Sequence, residues 1–81
     1  MKKNPEALQS LREQLDQMSE FCDELEKVLQ NNDGCMENID ADTLVKLEAK
    51  YLCHKKKLLN ATNGLNADFI NTLRKSAVKV Q

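Results

Sequence analysis

The chain of 81 residues contains no tryptophan, one proline, two glycines and three aromatic residues. Two glycines cannot build a phosphate-cradling loop fold, and a turn-rich β protein needs far more glycine and proline. No apolar run approaches the ~18 residues of a membrane span, and the opening MKKNPEALQ lacks the apolar core of a secretory signal. The length is short for two domains. One histidine and no metal-ligand spacing leave little for catalysis. The sequence therefore points away from an enzyme, a metal site, a bound cofactor or a small-molecule substrate, and towards a binding protein.

The cysteines are Cys22, Cys35 and Cys53, an odd count with no C-x-x-C pair. Without an export signal they read as reduced thiols in a cytosolic setting. Cys53 and His54 supply two adjacent ligand types, but a structural zinc needs four.

Charge is abundant and segregated. Residues 1–42 carry 11 acids against 4 bases, a net of −7, and residues 43–81 carry 8 bases against 2 acids, a net of +6. The acidic half is expected to fold against the basic half, with opposite charges flanking a shared apolar seam.

Hydrophobic spacing predicts an all-α chain and a single helical domain. Residues 5–31 form the first expected helix, with Asn4 as N-cap, Pro5 at the first helical position and Glu6 at the positive end of the macrodipole. Leu8, Leu11, Leu15, Met18, Cys22, Leu25 and Leu29 recur at alternating spacings of three and four, a heptad seam, with Ala7, Phe21 and Val28 widening one flank. Asn31-Asn32-Asp33-Gly34 stops it, Gly34 taking a left-handed conformation, and Cys35 to Asn38 complete the loop.

Asp40 then caps a second helix over residues 40–63, with Ile39 and Leu44 placed for a hydrophobic staple. Its doublets Leu44-Val45, Tyr51-Leu52 and Leu58-Leu59, joined by Leu47, make two apolar ridges instead of one, so this helix is expected to touch two neighbours. Asn63-Gly64 ends it. A third, shorter helix is expected over residues 66–80, its start Leu65-Asn66-Ala67-Asp68 repeating the grammar of Ile39-Asp40-Ala41-Asp42. The expected architecture is an antiparallel helical hairpin with a third helix, as a three-helix bundle or a coiled-coil-like hairpin. The third helix either packs back onto the hairpin or extends outward as an arm.

Several residues have two readings each. Cys22 lies in the seam as a small core residue, Tyr51 anchors the hairpin or marks an interface, and His54 sits at a d-like position as a half-buried imidazole or a pH switch. Met36 is a loop residue that a partner can touch. The run His54-Lys55-Lys56-Lys57 is a solvated face before it is a site for nucleic acid, since no aromatics interleave with it. The candidate partner site is the second ridge, Val45, Leu52 and Leu59, together with Phe69 and Leu73 of the third helix. That ridge suits either the chain's own third helix or an amphipathic segment of another protein.

Asp40-Ala41-Asp42-Thr43-Leu44-Val45-Lys46-Leu47-Glu48-Ala49-Lys50 and Lys55-Lys56-Lys57-Leu58-Leu59, following an acidic amphipathic helix, resemble the helical-hairpin grammar of small bacterial export chaperones of flagellar and type III secretion systems. The likeness spans residues 5–60 and assigns no individual residue. It implies a cytosolic chaperone that shields a helical export substrate or pairs with a second chaperone. A domain of this size has a marginal core, so the leading expectation is a cytosolic helical interaction module, a chaperone or adaptor that buries a partner's amphipathic helix. A homo-oligomer, as a dimeric four-helix bundle, is the alternative, and a nucleic-acid-binding regulator ranks below both.

Overall fold

The computed structural model describes residues 5–80, with side chains to Ala77. The described residues form two helices and no strand: α1 over Glu6–Gln30, a 3-10 turn over Met36–Asn38, and α2 over Ala41–Val80. The helices run antiparallel as a hairpin. Ala7 meets Gly64 near the open end, Phe21 packs against His54 and Tyr51 midway, and Glu24 bonds Lys50 nearer the loop. The 40 residues of α2 set the long dimension of a molecule measuring 62 × 25 × 16 Å.

Local chemistry explains the boundaries. α1 opens at Glu6, with Pro5 flanking it at φ −54° and accepting the Gln9 N–H through its carbonyl. Pro5 thus stands one place before the first helical position expected for it, and the expected cap Asn4 lies outside the described residues. The far end closes through left-handed residues, Asp33 at φ 57° and Gly34 at φ 73°. The Gly34 N–H reaches back to the Leu29 carbonyl at 2.7 Å, satisfying a group that the helix end leaves orphaned. The Asn32 side chain donates to the Val28 carbonyl at 2.7 Å. α2 starts as its cap requires: Asp40 accepts the backbone N–H of Thr43 at 3.1 Å and its hydroxyl at 2.8 Å. Ile39 beside the cap is buried.

Among the described residues there is no third α-helix. α2 continues through Asn63-Gly64 and through the cap-like residues that follow. Gly64 keeps a helical backbone and faces Ala7 of α1. A Cβ built there would lie 3.5 Å from the Cβ of Ala7. Glycine here costs about 1 kcal/mol of helix propensity, and α2 runs through it unbroken. Asn66 repeats the residue type of a cap, but a cap acts only where the backbone leaves the helix.

The core is slender. Phe21, Ile39, Leu47 and Ala61 are its buried apolar residues among those described. Two helices share only one seam, so each keeps most of its surface in water.

Two outcomes follow from these boundaries. Gly64→Ala gains helix propensity without a clash, because 3.5 Å is ordinary van der Waals contact. It should stabilise the hairpin by about 0.5–1 kcal/mol, read as a higher melting temperature by circular dichroism; a loss would restore the turn expected at this position. At Asp40, the hydroxyl and N–H of Thr43 hold the carboxyl below its ordinary value. The charged cap therefore stabilises the fold above the ordinary carboxylate pKa, and that contribution is lost as pH falls through the depressed one. Asp40→Ala should melt several degrees below wild type at neutral pH, with the gap closing in acid.

Candidate functional site

The buried column of α1 is not the one the heptad spacing favours. Phe21 is buried, whereas Cys22 is exposed and Leu15 is 51% exposed. The seam runs through Ala7, Leu11, Gln14, Met18, Phe21, Leu25 and Val28, all buried or half-buried. Leu8, Leu15, Cys22 and Leu29 form a third apolar column beside it, half-buried at Leu8 and Leu29 and exposed at Leu15 and Cys22. Bulk decides the choice: burying a phenylalanine removes far more apolar surface than burying a cysteine. Cys22 is thus a surface thiol and not a core residue. Cys35 and Cys53 are exposed as well, and no cluster among the described residues could hold a metal ion.

On α2 the first ridge packs on α1: Leu47 and Ala61 are buried, and Leu44, His54 and Leu58 half-buried. Tyr51 and His54 both lie against Phe21, with ring centroids 6.4 and 5.7 Å apart. Tyr51 keeps 43% of its surface exposed, so it caps the seam more than it fills it. Among the described residues nothing covers the second ridge. Val45, Leu52, Leu59, Phe69 and Leu73 are each 50–68% exposed. The straight run of α2 removes the internal occupant, since residues 66–80 continue along the helix axis instead of folding back.

The two sides of the hairpin differ in character. On one side Glu24 bonds Lys50 at 2.8 Å, and Gln17, Ser10 and Lys57 continue that polar edge. The other side carries the column of Leu8, Leu15, Cys22 and Leu29 from α1 and the ridge of Val45, Leu52 and Leu59 from α2. Glu48, Lys55 and Thr62 run between them. The assignment follows from helical phase, because residues one step C-terminal to the seam turn to the same flank of both antiparallel helices. At the loop end, Leu25, Met36, Leu44, Val45 and Tyr51 line an open groove of about 510 Å³. Met36, expected as a loop residue that a partner can touch, is 52% exposed at this groove. Beyond Asp68, level with the first turn of α1, α2 carries Phe69, Ile70 and Leu73 onward, all exposed.

The basic run does not make one surface. Lys55, Lys56 and Lys57 are all exposed and, at about 100° per residue, fan around α2. The sequence pattern missed the α1 column because it was counted into the seam. The signal present was width: three apolar columns on a helix that has one neighbour.

No protein-family model, curated protein or solved structure matches the chain. No helix of the described residues is long and apolar enough to cross a membrane.

His54 offers a test of how the seam is valued. Its Nδ1 is buried with no hydrogen-bond partner, and such an atom costs about 1–3 kcal/mol. His54→Leu should raise the melting temperature by about 4–8 °C, the shift expected of roughly 1 kcal/mol in a domain of this size. An unchanged melting temperature would show that the imidazole nitrogen is satisfied by water.

Proposed function

We propose that the protein is a helix-docking module, whose work is to bury an amphipathic helical segment against the apolar side of the hairpin. The observation that carries this is the pairing of a core of very few buried residues with a full-length exposed ridge, Val45, Leu52 and Leu59. Isolated exposed leucines are ordinary on a protein surface, but an apolar side that runs the length of the hairpin marks an interaction site. A partner laid there would enlarge the core, and its binding free energy would add to stability. The mode is helix-in-groove recognition, with anchors one helical repeat apart. A cytosolic setting and the shielding role implied by the likeness to export chaperones belong to the same proposal.

Leu52→Asp together with Leu59→Asp separates docking from folding, because neither residue lies in the intramolecular seam. The doubly substituted chain should keep its helicity while losing concentration-dependent or partner-dependent stabilisation in thermal melts. If its melting temperature instead matches wild type under every condition, the ridge docks nothing and the proposal fails.

A further inference from the structure

Charge marks out the segment that fits this side. α1 holds seven acids against two bases, and α2 holds eight bases against three acids. Within the hairpin that opposition is hardly used: Lys50–Glu24 is the single ion pair among the described residues, and it lies on the opposite, polar edge. The apolar side thus sets the column of the acidic α1, with Glu26 one turn from Cys22, next to the ridge of the basic α2, with Lys55 and Lys56 one turn from Leu52 and Leu59. A surface that carries both halves of a complementary pair side by side matches itself when rotated by half a turn.

We infer that the occupant of this side is a second copy of the chain, docked face to face about a two-fold axis parallel to the helices, so that α1 of each copy lies on α2 of the other. The inference rests on the helix-docking reading and names its partner. Two arrangements bring the apolar sides together. An axis running across the helices lays α1 on α1 and α2 on α2, acid on acid and base on base. An axis running along them alternates acidic and basic helices around a four-helix bundle, with every neighbouring pair antiparallel. The along-axis rotation also preserves height. Glu24 and Lys50 are level in the hairpin, so Leu29 is level with Val45, Cys22 with Leu52, and Leu15 with Leu59. Each of these three α1 residues therefore has a ridge residue of α2 at its own level in the partner.

The size of the face is sufficient. The paired section is about 37 Å long at about 1.5 Å per residue, and the molecule is 25 Å wide. That plan area, on the order of 900 Å², compares with the ~800 Å² that each partner contributes to a standard stable interface.

Sedimentation of the full chain, with crosslinking by paired thiols, tests both the partner and the arrangement. In a Cys35→Ser, Cys53→Ser background, Leu52→Cys should form an intermolecular disulfide with the native Cys22 on mild oxidation, giving a doubly linked dimer. Adding Cys22→Ser should abolish that species. The unsubstituted chain should sediment at the mass of two copies, and Lys55→Glu should weaken the association by about tenfold or more. Disulfides joining Cys22 to Cys22 between copies would overturn the alternating arrangement. A monomer at all concentrations would overturn self-docking. Whether that monomer buries an added amphipathic helical peptide then decides the broader helix-docking reading separately.

Discussion

The structure depends on the limited capacity of one helix–helix seam. Two antiparallel helices meet along a single line, and at its middle Phe21 is buried against Tyr51 and His54. This contact sets the rotation of α1, and that rotation decides which residues are left over. With Phe21 inward, Leu11, Met18 and Leu25 share the seam while Leu15 and Cys22 turn outward. With Leu47 and Ala61 inward on α2, Val45, Leu52 and Leu59 turn outward on the same flank. The exposed side is therefore a direct geometrical consequence of the core contact.

Electrostatics adds direction to that surplus. Exposed ion pairs are worth little to stability, about 0–1 kcal/mol, so the charge segregation contributes little to holding the hairpin closed. Its value lies in choosing among ways of packing apolar faces. Hydrophobic burial has no directional preference, whereas an acidic helix beside a basic one penalises one of two stacking orders and favours the other.

The local rules were legible in the sequence, and the long-range choices were not. Asp40 caps α2, Ile39 is buried beside it, and Gly34 closes α1 in a left-handed conformation, because each depends on residues within one turn. Two errors came from tertiary context. The heptad spacing fits the column of Leu15 and Cys22 as well as that of Gln14 and Phe21, and only the volume filled against the partner helix separates them. Gly64 followed by a cap-like stretch fits a helix end. It also fits a helix interior facing Ala7, and packing along α1 decides for the second. The candidate ridge was legible because its residues recur every seven positions, which phase alone reveals. Its companion column on α1 was hidden inside a stripe that looked like core.

The continuity of α2 connects the fold to the functional proposal. Had the chain turned at Gly64, residues 66–80 could have returned along the hairpin and covered Val45, Leu52 and Leu59 from within. A bundle of three short helices would then have completed its own core. The unbroken helix instead keeps Leu73 in phase with Val45, Leu52 and Leu59, two heptads past Leu59, and carries Phe69 on the adjoining column. Residues 66–80 extend the helix that carries the ridge instead of covering it. On the docking proposal a second copy supplies the cover, and the residues around Gly64 that continue the helix are as much part of the docking surface as the leucines that line it.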